Sequence, residues 1–136
     1  MFLLDTMVIS EVRKRNSDPG VSAWIDAVHQ QDLFISTISV AELEVGIEKQ
    51  KSINPIFSNE LARWLELTLR TYGDRVLPVD VPVARRWGRL AIRIGNKGLD
   101  LAIAATALEH HLTVVTRNVA HFQPTGVAIL NPFRPA

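Results

Sequence analysis

The chain begins with a short apolar run that ends on an acid: Phe2-Leu3-Leu4 leads directly to Asp5, and the helix-like segment 6–14 follows. Three apolar residues that end on a carboxylate are typical of a buried strand that carries an acid to the edge of a sheet. Taken alone, Asp5 has a simpler explanation, because Asp is a common N-cap of a helix. A functional role for Asp5 therefore depends on whether other acids reach the same edge.

The bulk composition describes a globular protein of modest size. The 136 residues suffice for one domain with a real core, which we expect to span residues 1–136. No apolar run approaches the roughly 18 residues of a membrane span, and no signal peptide is recognisable, so we expect a cytoplasmic protein without a membrane partner. The absence of cysteine excludes disulfides, thiolate metal sites and a cysteine nucleophile. The net charge of +1 identifies no partner.

Hydrophobic periodicity predicts strands that alternate with helices. Helices are expected at 6–14, 21–29, 39–50, 55–72, 80–94 and 100–110, and strands at 2–4, 33–36, 76–79, 112–115 and 127–130. A loop is expected at 95–98 and a short helical turn at 118–122. Pro78 favours an edge position for the third strand. This alternation predicts an α/β domain whose central sheet of about five short strands is mostly parallel and is covered by helices on both faces.

Three acids are expected at one edge of this sheet. Asp5 follows the first strand, and Glu42 is expected in the first turn of the helix after the second strand. Asp100 begins the helix that leads into the fourth strand, so it starts at the top edge, where Thr116 and Asn118 also emerge. The carboxyl ends of parallel strands are where open α/β sheets bind ligands. The topology therefore predicts that these polar side chains meet.

Three carboxylates at one edge repel one another unless a positive charge lies between them. Mg²⁺ prefers oxygen ligands and usually keeps several waters, so a few carboxylates suffice to hold it. Such ions activate water and stabilise a departing oxygen, which predicts phosphodiester hydrolysis.

Each acid also has a purely structural explanation. Ser39-Val40-Ala41-Glu42 has the form of a capping box, in which Glu42 folds back onto the start of its own helix. Asp100 at a helix start complements the helix dipole without any metal. Its apolar neighbours favour pairing or coordination, because an isolated acid among apolar residues is unfavourable. Asp80 fits a helix cap better than a site residue.

Four segments together resemble a known family. They are Leu3-Leu4-Asp5-Thr6, Ser39-Val40-Ala41-Glu42-Leu43, Asp100-Leu101-Ala102-Ile103-Ala104-Ala105-Thr106-Ala107 and Val115-Thr116-Arg117-Asn118. In this order and spacing they resemble the PIN-domain ribonucleases, and in particular the VapC toxins of bacterial type II toxin–antitoxin pairs and their FitB-like branch. The resemblance runs from end to end, through Leu130-Asn131-Pro132-Phe133.

The resemblance implies a three-layer α/β/α fold and an endoribonuclease that depends on Mg²⁺, with Mn²⁺ as a substitute. The core acids of the family correspond to Asp5, Glu42 and Asp100, which would bind metal and catalyse cleavage, with Glu42 also steering the attacking water. Supporting roles fall to Thr6, Thr116, Asn118 and His121, and Thr116 would orient an acid by a hydrogen bond. Many PIN domains carry a fourth acid after the fourth strand, and this chain has none there, which questions a second metal. The resemblance also implies a protein antitoxin and a homodimer.

Two basic clusters are candidates for RNA contact. They consist of Arg13 and Lys14 at the end of the first helix, and of Arg86, Arg89 and Arg93 on one face of the helix at 80–94. Ordinary solvated helix faces explain them equally well. The long apolar helix at 55–72, with Trp64 and Leu65, is either part of the core or a seat for a second copy or an antitoxin.

Two other functions compete with the ribonuclease. A receiver-like phosphoacceptor would need adjacent acids after the first strand and a lysine after a late strand, where this chain has only Asp5 and Arg117. A PIN-fold module that binds a partner without cleavage is the second alternative, left open by the missing fourth acid. Retention of the three acids together favours the enzyme.

Overall fold

A computed structural model describes residues 1–95 and 98–135. Within these residues the strands are β1 (Phe2–Leu4), β2 (Leu33–Ser36), β3 (Val76–Leu77), β4 (Thr113–Val115) and β5 (Ile129–Leu130). The helices are α1 (Thr6–Arg13), α2 (Pro19–Ala27), α3 (Thr37–Gln50), α4 (Pro55–Tyr72), α5 (Val81–Ile94), α6 (Asp100–His110) and α7 (Val119–Phe122). The loop expected at 95–98 includes Asn96 and Lys97, which lie outside the described residues. No helix in the described part of the chain has both the length and the apolar character needed to cross a bilayer.

The five strands form one sheet in the order β3-β2-β1-β4-β5, and every neighbouring pair is parallel. The chain therefore moves outward from β1 to β3 and then returns to place β4 on the other side of β1. Strand order reverses between β1 and β4, which is the point where open parallel sheets form a crevice at their carboxyl ends. The predicted α/β fold is confirmed, and β3 occupies an edge of the sheet, as Pro78 indicated.

Alternate residues of the central strands face two separate cores, because successive side chains of a strand point to opposite faces of the sheet. Leu3 and Val114 pack on one side against α5, α6 and α7. Leu4 and Val115 pack on the other side against a layer that includes α1 and α2, with partly buried residues of α3 and α4 completing it. The expected three-layer α/β/α arrangement is therefore confirmed.

The start of α3 differs from the prediction. The helix begins at Thr37, and its N-cap is Ser36, whose Oγ accepts a hydrogen bond of 3.0 Å from the backbone N–H of Ile38. The predicted capping box from Ser39 to Glu42 is therefore wrong, and Glu42 lies in the second turn rather than the first. The segment contains three hydroxyl residues, at positions 36, 37 and 39. Ser36 keeps the extended backbone of an N-cap, whereas the hydroxyl of Ser39 is bonded to Thr6 of α1.

The C-terminal segment packs onto the beginning of α2. The carboxylate of Asp18 caps this helix and also accepts a hydrogen bond of 3.0 Å from the backbone N–H of Arg134. The chain passes so close to Gly20 that a Cβ atom there would lie 2.3 Å from the carbonyl oxygen of Pro132. Glycine is therefore required at this position by the close approach of another backbone.

Candidate active site

Asp5 lies at the carboxyl end of β1, beside the point where the strand order reverses. The residue is 4% exposed, and its carboxylate accepts two hydrogen bonds of 2.8 Å, one from the backbone N–H of Thr6 and one from Thr116 Oγ1. The first bond makes Asp5 the N-cap of α1, as the simpler explanation of the sequence proposed. The second bond fixes the other carboxylate oxygen from the residue that follows β4, so the start of α1 and the end of β4 together hold the carboxylate.

The electrostatic environment of Asp5 shows that the other two acids lie nearby. Burial is the main reason why the pKa of Asp5 is raised above its usual value. The hydrogen bond from Thr116 opposes this shift, whereas the negative charges of Asp100 and Glu42 raise the pKa of Asp5 further. The carboxylates of α3 and α6 therefore act on the carboxylate that follows β1.

The carboxylate of Glu42 is positioned by a hydroxyl group on α1. Thr6 Oγ1 donates a hydrogen bond of 2.7 Å to Glu42 Oε1, and Ser39 Oγ lies 2.7 Å from the same Thr6 oxygen. Since the single hydroxyl proton of Thr6 goes to the carboxylate, Ser39 is the donor in the second bond. This relay ties the second turn of α3 to the residue that follows Asp5.

Asp100 is the first residue of α6 and is paired with a histidine from α7. His121 Nδ1 lies 2.9 Å from Asp100 Oδ2, with side chains that are 64% and 28% exposed respectively. Both groups are therefore open to solvent, in contrast to the carboxylate of Asp5. The pairing could not be predicted from the sequence, because it depends on how the four-residue helix α7 packs after β4.

Thr116 connects Asp5 to the segment that carries His121. It is fully buried, and its Oγ1 accepts a hydrogen bond of 2.9 Å from the backbone N–H of Asn118 while donating to Asp5 Oδ2. The position of Asn118 at the start of α7 is thereby fixed relative to the carboxylate of Asp5.

The donor chemistry of these acids fits a hard divalent cation, since all three offer carboxylate oxygens and their mutual repulsion favours a positive charge between them. In residues 1–95 and 98–135, no three His, Asp or Glu side chains form a ready-made metal-binding group. Glu42 is hydrogen-bonded to Thr6 and Asp100 to His121, so an arriving ion would compete for these two carboxylates.

The first predicted basic cluster, Arg13 and Lys14, makes contacts with other side chains of the protein. The guanidinium of Arg13 lies over the rings of Phe57 and Trp64, at 5.4 and 5.9 Å from their centroids. Lys14 pairs with Glu11 at 3.3 Å on the surface. The aromatic neighbours of Arg13 belong to α4, more than 40 positions along the chain, so local sequence patterns carry no signal for them.

The second predicted cluster does not present three equivalent cations. Arg86 forms an ion pair with Glu109 of α6, and Arg93 donates a hydrogen bond of 3.2 Å to the carbonyl oxygen of Thr125. Arg89 is exposed and lines an open groove with Arg85 on the outer face of α5. The face is therefore partly used to attach α5 to its neighbours.

The two residues singled out on α4 belong to the core. Leu65 is 4% exposed, and Trp64 packs against the cluster that contains Leu4 and Val8. The exposed apolar side chains of this helix are Ile56 and Leu67 instead. A test for an interface on α4 should therefore use these exposed positions.

Comparison with known proteins identifies a family and several similar proteins. The PIN domain family matches residues 2–124. The chain is 38% identical, over 143 aligned positions that cover 100% of both chains, to the VapC ribonuclease Y4jK of Sinorhizobium fredii. It is 37% identical to the toxin FitB of Neisseria gonorrhoeae over 139 positions, which cover 98% of this chain and 99% of the relative.

A solved structure shares the fold closely. The crystal structure of FitAcB from Neisseria gonorrhoeae superposes with a TM-score of 0.86 at 38% sequence identity, covering 97% of this chain and 98% of that one. The family match spans nearly the whole chain, and it includes both central strands and the three acids at their edge. The chain belongs to the PIN domain family.

Proposed function

We propose that this chain is a metal-dependent endoribonuclease that hydrolyses RNA phosphodiester bonds and acts as the toxin of a toxin–antitoxin pair. The observation that supports the proposal is that Thr6 bonds both Asp5, through its backbone N–H, and Glu42, through its hydroxyl, beside the reversal of strand order. The charges of Asp100 and Glu42 also raise the pKa of Asp5. Relatives named as a ribonuclease and as a toxin, each matched over essentially its whole length, support it.

Asp5, Asp100 and Glu42 would hold Mg²⁺, for which Mn²⁺ can substitute, because their oxygens are the donors that such hard ions prefer. When bound, the ion supplies a more acidic water and stabilises the oxygen that leaves the phosphate. The neighbouring residues of the chain prepare the carboxylates for this task. Thr116 favours the ionised form of Asp5 by donating to it, which opposes the effect of burial.

Glu42 is proposed to steer the attacking water. Its Oε1 is held by Thr6, and its second oxygen is then the one left to accept a proton from water. Asp100 and His121 stand at the exposed side of the site, where a phosphate would approach. Asn118 is proposed to support the site by holding the start of α7 against Thr116.

RNA would be held mainly through its phosphates. Arg89 is exposed and lines an open groove, and Arg13 offers a cation beside two aromatic rings. Lys14, Arg86 and Arg93 would contribute by exchanging their present protein partners for phosphate. Each phosphate contact makes the affinity for RNA fall as salt concentration rises.

A toxin needs an inhibitor in the cell that makes it, so we propose a protein antitoxin as the partner of this chain. An antitoxin segment with a basic side chain would complement the three acids. We further propose a homodimer and action in the cytoplasm, where an RNA substrate and a newly made antitoxin would both be met.

The test is cleavage of a mixed set of single-stranded and structured RNAs with Mg²⁺, with Mn²⁺ and with EDTA. We expect the wild-type chain to cut with either metal, and the variants Asp5→Asn and Asp100→Asn to lose activity while remaining folded. Asp80→Asn, prepared identically, is the control, because Asp80 caps α5. Equal cutting by all variants would reveal a contaminating nuclease, and Mn²⁺ binding without any cutting would favour the module that binds without cleavage.

A further inference from the structure

His121 stands beside Asp100 in a way that suits a ligand of the same ion. The distance between His121 Nδ1 and Asp100 Oδ2 is 2.9 Å. Two neighbouring ligands of an octahedral ion with bonds of about 2.1 Å are separated by about 3.0 Å. The two atoms are therefore close enough together to be neighbouring ligands of one ion.

The helix that carries His121 is anchored at both ends. At its start, the backbone N–H of Asn118 is bonded to Thr116, which also holds Asp5. At its end, Phe122 is completely buried, and its carbonyl oxygen accepts a hydrogen bond from Thr125 Oγ1. The backbone at His121 is therefore fixed, and its imidazole lies beside Asp100, where it is exposed to solvent.

We propose that His121 is a ligand of the metal beside Asp100, so that the site binds Mn²⁺ in preference to Mg²⁺. The inference rests on the proposed function and specifies which ion that function uses. An imidazole nitrogen is a common ligand of transition metals, whereas Mg²⁺ prefers oxygen donors. As a ligand the ring would use the lone pair of Nδ1, so any proton that Nδ1 donates to Asp100 in the free chain would pass to Nε2 or to solvent.

The direct test is electron spin-echo spectroscopy of Mn²⁺ bound to the full chain, which detects a directly coordinated ¹⁴N nucleus. We expect nitrogen coupling in the wild-type chain and its loss in His121→Gln. The matched control is His110→Gln, because His110 lies at the opposite end of α6 from Asp100 and should leave the coupling unchanged. The imidazole of His121 is 64% exposed, so its replacement should leave the fold intact.

Metal affinities supply a second measurement. We expect His121→Gln to weaken Mn²⁺ binding by about tenfold or more, because even the loss of a residue that only supports a metal ligand costs about 10–100-fold, and to change Mg²⁺ binding much less. His121→Asp should restore oxygen-only coordination and lower the preference for Mn²⁺ over Mg²⁺ to a similar extent.

The outcomes separate the two proposals. Mn²⁺ bound tightly without nitrogen coupling, or with equal affinity in wild type and His121→Gln, would overturn the role of His121 and leave the three-carboxylate site standing. Failure of the wild-type chain to bind Mn²⁺ at all would overturn the metal-dependent function itself. Nitrogen coupling that depends on His121 would support both.

Discussion

Replacing Thr116 by valine should weaken the fold most at neutral pH, because Thr116 supports an ionised carboxylate. Valine has nearly the same shape but lacks the hydroxyl that donates to Asp5 Oδ2 and accepts from the backbone N–H of Asn118. A hydrogen bond to a charged group is worth about 1.5–3 kcal/mol, and a stranded N–H adds about 1 kcal/mol. The expected loss is about 2.5–4 kcal/mol, a large part of the roughly 5–15 kcal/mol by which a typical domain is stable.

The sign of the pH dependence follows from the same contact. The hydrogen bond from Thr116 lowers the pKa of Asp5, so it favours the ionised form, even though burial leaves the pKa of Asp5 raised overall. The contribution of Thr116 is therefore full above the pKa of Asp5 in the folded chain and declines as the pH falls through it. Below that pH a neutral hydrogen bond of about 0.5–1.5 kcal/mol remains, together with the contribution of about 1 kcal/mol from the N–H of Asn118, which does not depend on pH.

Urea denaturation followed by tryptophan fluorescence, in EDTA at pH 7.5 and at pH 4, measures this difference. Thr116→Ser is the control, since it keeps the hydroxyl and loses only a buried methyl group worth about 1 kcal/mol. The reasoning is refuted if Thr116→Val and Thr116→Ser have equal free energies of unfolding at pH 7.5, or if the gap between them widens at pH 4.

Three further substitutions test other parts of the account by the same denaturation assay. Gly20→Ala should lower the free energy of unfolding by about 1–3 kcal/mol, because its Cβ would meet the carbonyl oxygen of Pro132. Gly46→Ala is the control, since open space surrounds Gly46 and the helix should be unchanged or more stable; equal effects of the two substitutions would contradict the close approach at Gly20. Asp80→Ala should lose about 1 kcal/mol with its helix cap, and a normal stability would argue against the cap. In EDTA, Asp5→Asn should become more stable relative to wild type as the pH rises through the raised pKa of Asp5, because only the wild type then carries a buried charge. In Mn²⁺, only the wild type should be stabilised, and stabilisation of the variant by Mn²⁺ would contradict the proposed metal site.

Much of the fold follows from local pattern. Phe2-Leu3-Leu4 and the runs near positions 33 and 113 are short and apolar, and the helices between them keep the spacing of one buried face. Parallel pairing then places whatever follows each strand at the same edge, so the nearness of Asp5 to Asp100 could be inferred without coordinates. The resemblance of four ordered motifs to the PIN domain family, confirmed by comparison, pointed to the same arrangement.

Other features depend on how helices that are distant in the sequence pack against one another. Ser36 and Ser39 are equally good caps by type and both are fully buried, so the difference between them is the hydrogen bond of the Ser39 hydroxyl to Thr6, a residue 33 positions away. The pairing of Arg86 with Glu109 and the stacking of Arg13 on Trp64 join distant helices whose rotation no local pattern records. The contact between His121 and Asp100 has the same origin, which is why the sequence suggested a site residue at His121 but no partner for it.

The central claim is that Glu42, together with Asp5 and Asp100, forms a metal-dependent ribonuclease site. Its most direct test compares RNA cleavage by Glu42→Gln and Glu44→Gln, in Mn²⁺ and at equal concentration of folded protein. Both residues lie on α3, but only Glu42 accepts a hydrogen bond from Thr6, and Glu44 is exposed. The account predicts a loss of at least about a hundredfold in Glu42→Gln, the low end for removing a general base, and wild-type cleavage in Glu44→Gln. Equal cleavage by the two variants would contradict it.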